Sequence, residues 1–96
     1  MEKEVIVKWK IKEAATAEIL KLLPELAEET KKEQGNLHYA VYQSEDDPNE
    51  LILHERYVDV QAQEVHRNSK HYQEIVIARI IPYLEGREVN TVKKLI

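Results

Sequence analysis

Three features of the chain predict an α+β fold of the ferredoxin-like, split β-α-β kind with an antiparallel sheet. Alternating apolar positions mark strands near the start and in the middle of the sequence. Two stretches carry the three-and-four spacing of amphipathic helices, and a polar turn from Ser44 to Asn49 is short enough to close a hairpin. The resulting order is strand, helix, strand, strand, helix, strand (βαββαβ). With 96 residues, 43% hydrophobic and 33% charged, positions 1–96 are read as a single domain.

Each element has its own signal. In the first strand Val5, Val7, Trp9 and Ile11 fall on one face, with Ile6, Lys8, Lys10 and Lys12 on the other. From about Ala15 the period changes. Ile19, Leu23, Leu26 and Thr30, widened by Leu20, Leu22 and Ala27, predict one helix running to about Gln34. Pro24 inside it predicts a kink, and Gly35 stands where a left-handed C-terminal cap belongs. Leu37, Tyr39 and Val41 then alternate with His38, Ala40 and Tyr42 as a second strand. A third runs from Leu51 to Val58, with Leu51, Leu53, Glu55 and Tyr57 opposed to Ile52, His54, Arg56 and Val58. Asp59 reads as the N-cap of a short helix carrying Ala62, Val65 and His66. Ser69 reads as the cap of another, whose buried stripe is Tyr72, Ile75, Val76, Arg79 and Ile80. Pro82 and Gly86 close that helix, and Val89 to Ile96 is the last strand.

Helices cover only one face of such a sheet. Ile52 and Val58 put apolar groups on the other face, which predicts a second subunit there, most simply a twofold homodimer.

Composition removes whole classes of function. With no cysteine there is no disulfide framework, thiolate nucleophile or cysteine-based zinc site. A net charge of -4, from 14 Lys and Arg against 18 Asp and Glu, offers no basic face for nucleic acid. No apolar run approaches the roughly 20 residues of a membrane span. The N-terminus lacks the pattern of an export signal, so the expected location is the cytoplasm. Glycine-rich phosphate loops, the Gly-x-Ser-x-Gly elbow and the dinucleotide fingerprint are all absent.

Three groups of residues could carry chemistry. Glu55 shares its strand face with apolar residues, so it is either a buried carboxylate with a raised pKa or a salt-bridged edge position. His66 and His71 suit proton transfer near neutral pH, and a chain break near Ser69 would turn both toward one pocket mouth. The plain alternative leaves His71 exposed in the first turn of its helix. Their five-residue gap is not the i, i+4 pair of a helical zinc site, and no metal is expected. Trp9 and the tyrosines Tyr39, Tyr42, Tyr57 and Tyr72 would either stack on a flat aromatic ligand or fill a core or dimer interface.

The stretch Glu33-Gln34-Gly35-Asn36-Leu37-His38-Tyr39 resembles the E-x-G-x-x-x-Y opening of the antibiotic biosynthesis monooxygenase domain family. The resemblance continues through Asp47-Pro48, Leu53-His54-Glu55-Arg56-Tyr57, Asp59, Ala62, His66, Ser69, His71 and Tyr72. It implies a protomer that dimerises through its sheet into an α+β barrel. It also implies oxidation of phenolic or quinol-type small molecules by O₂ without metal, flavin or haem. Carried over by position, the implied catalytic residues are His66, His71 and Glu55, and the implied substrate-binding residues are Asn36, Tyr57 and Tyr72; Trp9 joins the substrate-binding set from the aromatic cluster above.

The string Glu-x-Gly-Asn-Leu and the His-x4-His-Tyr ending also resemble the isomerase of phosphorylated autoinducer-2. That enzyme carries a first-helix histidine where Ala27 stands here. The leading expectation is a cofactor-independent monooxygenase with His66 or His71 as proton acceptor and Glu55 orienting it or sharing its proton. The alternatives are the isomerase, with Arg56 and Arg67 as phosphate ligands, and a non-catalytic small-molecule-binding module.

Overall fold

The computed structural model describes residues 1–96. Its elements are β1 (Lys3–Ile11), α1 (Glu13–Leu20), α2 (Leu23–Lys31), β2 (Asn36–Gln43), β3 (Glu50–Tyr57), α3 (Val60–Arg67), α4 (Tyr72–Ile80), a 3₁₀ turn (Ile81–Tyr83) and β4 (Leu84–Val92). The four strands form one antiparallel sheet in the order β2-β3-β1-β4, the ferredoxin-like α+β arrangement that the element order predicts. Helices lie on one face. Between them and the sheet sits the core of Val5, Val7, Trp9, Ile11, Ile19, Leu26, Tyr39, Leu51, Leu53, Ile75, Val76 and Ile80. No helix is long and apolar enough to cross a membrane.

The helical hairpin differs from the single kinked helix expected. Pro24 has no N–H to give to the carbonyl of Leu20, so the chain breaks at Lys21–Leu22 and restarts with proline in the first turn of α2. Gly35 is not a left-handed cap, because no glycine has positive φ and α2 ends at Lys31, with Lys32 as its C-cap. Its requirement is space. A methyl group on Gly35 would collide with the Cβ of Ala62 where α3 crosses the turn.

β2 contains a bulge. Asn36 pairs with Tyr57 and His38 with Arg56, leaving Leu37 as the extra residue. Leu37 is therefore exposed, and only Tyr39 and Val41 share the inner face as expected. β3 ends at Tyr57, so Val58 lies beyond the strand. The apolar groups of the outer face are Ile6, Ile52 and Tyr42 instead.

α3 is capped as read, with the Asp59 carboxylate accepting the N–H of Ala62 at 2.8 Å. Its buried residues are Ala62, Gln63 and His66, whereas Val65 is exposed. Ser69 caps α4, its hydroxyl donating to the His66 carbonyl at 2.6 Å and accepting from the Tyr72 N–H at 3.2 Å. α4 is wound as a π-helix, and its wider turns bury Ile75, Val76 and Ile80 but carry Arg79 out to solvent. The last strand also begins earlier than expected, at Leu84, and Gly86 pairs with Lys10 inside it. β4 is an edge strand exposed along nearly its whole length, so its polar run Glu85–Glu88 has no alternation to mark it.

Candidate functional site

α3, α4 and the turn after α2 bring a histidine–carboxylate cluster onto the helix-facing side of the sheet. The α2–β2 turn is held by the N–H of Glu33 on the Thr30 carbonyl at 3.0 Å and that of Asn36 on the Glu33 carbonyl at 3.1 Å. It points Glu33 inward, its side chain only 10% exposed. Glu33 Oε2 lies 2.7 Å from His66 Nδ1 and 2.5 Å from His71 Nε2. An ionised carboxylate can only accept, so both ring nitrogens donate to it. The break at Asn68–Ser69 allows this convergence, because it lets two histidines five residues apart approach one oxygen from separate helices.

The free edge of His66 faces the sheet. Its Nε2 stands 3.8 Å from Glu55 Oε1, which accepts the Tyr57 hydroxyl at 2.7 Å. The His66 ring is packed among Tyr57, Tyr39 and Tyr72, with centroids 5.3, 6.1 and 5.1 Å away. Burial pushes the Glu55 carboxyl above its ordinary range, opposed by the Tyr57 hydrogen bond and the nearby His66. Burial, followed by the Glu55 charge, drives the Tyr57 and Tyr39 phenols upward, so both stay protonated, Tyr57 as a donor to Glu55.

A cleft opens beside this cluster, between the sheet and the α3–α4 layer. Val5, Val7, Trp9, Tyr39, Leu53 and Val76 line its apolar wall, and Glu55, His66 and Gln63 form its polar end. The enclosed part of the cleft is small, about 50 Å³. Arg67 and Arg87 flank the cleft, and an Arg87 Nη2 reaches the Tyr72 hydroxyl at 3.4 Å.

Of the residues named from sequence, Trp9, Glu55, His66 and Tyr72 line the cleft. His71 stands behind it, linked through Glu33. Tyr57 is fully buried and reaches the site only through Glu55. Asn36 is directed elsewhere, its amide donating to the carbonyls of His38 and Arg56 at 3.1 and 3.4 Å across the bulge. Tyr42 is on the opposite face of the sheet, as is Arg56, which pairs with Glu2 at 2.7 Å. Sequence reading missed Glu33 and Arg87. Glu33 does carry a signal, as the first letter of the E-x-G stretch; Arg87 lies in the part of β4 that hydropathy does not mark.

A model of the antibiotic biosynthesis monooxygenase family matches residues 4–77. The chain belongs to that family. Among solved structures it is similar to an antibiotic biosynthesis monooxygenase at 25% identity and TM-score 0.90, with 99% of each chain covered. A conserved protein of Methanosarcina mazei Go1 is 30% identical at TM-score 0.88, covering 99% of this chain and 94% of that one. A Mycobacterium tuberculosis protein is 28% identical at TM-score 0.88, covering 99% and 96%. No curated protein matches the sequence.

Proposed function

We propose that the protein is a cofactor-independent monooxygenase that oxidises a quinol-like or phenolic small molecule with O₂ in the cytoplasm. Family membership supports a monooxygenase-type activity in general. The observation that carries the finer reading is the direction of His66. Its Nδ1–H is tied to Glu33, which leaves Nε2 as a free base at the polar end of an aromatic cleft.

For an anthrone-like substrate with an activated CH₂ group, His66 Nε2 removes the first proton. The electron-rich anion passes one electron to O₂, and the carbon radical and superoxide join to form a C–O bond. The resulting peroxide anion recovers the proton from His66. Removal of the second C–H proton then breaks the O–O bond, giving C=O and, with that proton, water. One oxygen atom enters the product, the other leaves as water, and the substrate carbon supplies all four electrons. Nothing else need be reduced. The protein's part is to hold the ring against Trp9, Tyr39 and Tyr72, exclude water and exchange protons. Glu55 stabilises the imidazolium, and Tyr57 holds Glu55 in place.

Arg67 and Arg87 at the cleft favour a second reading, isomerisation of a phosphorylated sugar, because they could receive a phosphate there. Aerobic incubation with hydroquinones, anthrones and sugar phosphates separates the two. Turnover of a quinol or anthrone that is lost in His66→Ala supports the oxygenase; turnover of sugar phosphates alone supports the isomerase. A folded sample that turns over neither is a binding module.

We further propose a homodimer through the outer sheet face. Ile6, Ile52 and Tyr42 lie there among charged and polar groups already paired within the chain, such as Lys8 with Glu50 at 3.0 Å and the Glu4 carboxylate with the His54 ring at 2.6 Å. Internal pairing lowers the cost of covering those charges.

A further inference from the structure

We propose that Glu33, His66 and His71 form a binding site for a divalent first-row transition-metal ion of the zinc, cobalt or iron(II) class. Glu33 Oε2, His66 Nδ1 and His71 Nε2 all lie within 4.8 Å of one another. In a tetrahedral site with bonds of about 2.0–2.2 Å, neighbouring donor atoms stand roughly 3.3 Å apart. The carboxylate now sits 2.7 and 2.5 Å from the two nitrogens, so a withdrawal of under about 1 Å makes room for the ion in place of the two ring protons. Two imidazoles and one carboxylate suit zinc, cobalt or iron, whereas magnesium and calcium prefer oxygen alone.

Three further observations point the same way. Glu33 Oε1 is buried with no hydrogen-bond partner, an arrangement that is unfavourable for a carboxylate unless a cation is at hand. The far edge of His66 already faces a carboxylate, Glu55, itself fixed by Tyr57; metal-bound histidines characteristically have such a partner on their second nitrogen. There is also a route in. His71 borders a surface groove with Glu25, Glu29 and Glu74; Lys70 opposes them and Lys32 pairs with Glu29 at 2.9 Å, which leaves the mouth net negative and attractive to cations.

The site uses other atoms than the proposed oxidation but shares a ring with it. An imidazole with metal on Nδ1 carries its proton on Nε2, so His66 becomes a donor to Glu55 and ceases to be a base. Metal loading therefore switches off the base-catalysed reaction, and the metal-free protein is the active form.

The test is titration of the chelator-treated, full-length protein with Co²⁺, followed by visible absorption, and with Zn²⁺, followed by calorimetry. The expected result is saturable binding of one ion per chain that excess Mg²⁺ does not displace. Glu33→Gln and His71→Ala should each weaken it by more than the roughly 10–100-fold typical of losing an outer partner, and Glu55→Gln by about that amount. Circular dichroism checks that each variant is folded; if His71→Ala is not, Glu33→Gln decides. Absence of saturable binding, or binding unchanged in the folded variants, overturns the site. Substrate plays no part in the measurement, so the site and the oxygenase reading can fail separately.

Discussion

Glu33 Oε2 accepts the Nδ1–H of His66 at 2.7 Å, so a turn residue from one end of α2 determines which nitrogen of a histidine on α3 faces the cleft. The consequence is testable in two ways. In Glu33→Gln the carboxylate no longer fixes the ring tautomer, and nitrogen NMR of His66 should report a mixture in place of a single Nδ1–H form. With substrate, kcat should fall by about 100-fold or more with KM little changed, since binding groups are untouched. An unaltered tautomer and an unaltered kcat would remove Glu33 from the mechanism.

Glu55 makes stability depend on pH. Burial raises its folded-state pKa above the unfolded value, so its protonated form suits the folded chain and its ionised form does not. That contribution is complete below the unfolded pKa, about 4.3, and is lost as pH rises through the raised folded value. Gln keeps an acceptor for the Tyr57 hydroxyl and cannot ionise. Thermal melts of metal-free protein should therefore show Glu55→Gln gaining on the wild type as the pH rises from about 4 through the raised folded-state pKa. A Tm difference that stays constant over that range would mean that Glu55 is not held in an unfavourable charged state.

Gly35 is required for space. Gly35→Ala should destabilise the chain by about 1–3 kcal/mol, because its methyl meets the Ala62 Cβ. Ala62→Gly should recover most of that loss in the double variant, less the roughly 1 kcal/mol that glycine costs in a helix. Denaturant melts of the two single variants and the double give the coupling. Simple additivity would refute the collision.

The proposed dimer predicts a sedimentation coefficient of two chains at micromolar concentration. Tyr42→Glu, which puts an unpaired charge on the outer face far from the cleft, should give monomer with the same circular dichroism. A wild type that sediments as monomer at all accessible concentrations would contradict the assembly.

The architecture was legible because one-sided burial writes alternation into β1 and β3 and helical spacing into the chain around Ile19 and Leu26. β4 was misplaced for the same reason. Exposed on both faces, its Glu85–Glu88 segment is held by backbone pairing with β1, which leaves no trace in hydropathy. Helical spacing places Arg79 in the core because it presumes α-helical winding, which the π-helix does not follow. At the site, His66, His71 and Glu55 could be named from residue type and resemblance, but what joins them could not. Glu33 lies 33 residues before His66 and meets it only when the α2–β2 turn passes beneath α3. Asn36 shows the reverse case: a residue named from its motif whose amide is spent on the β2 bulge, a feature that strand alternation does not reveal.

Base catalysis by His66 is tested most plainly by oxidation of an anthrone or hydroquinone by chelator-treated protein under isotopically labelled dioxygen, with His66→Ala alongside. One heavy oxygen is expected in the product and one in water, at a rate that His66→Ala reduces to background. Product oxygen drawn from unlabelled water, or a His66→Ala rate equal to that of the wild type, would contradict this mechanism.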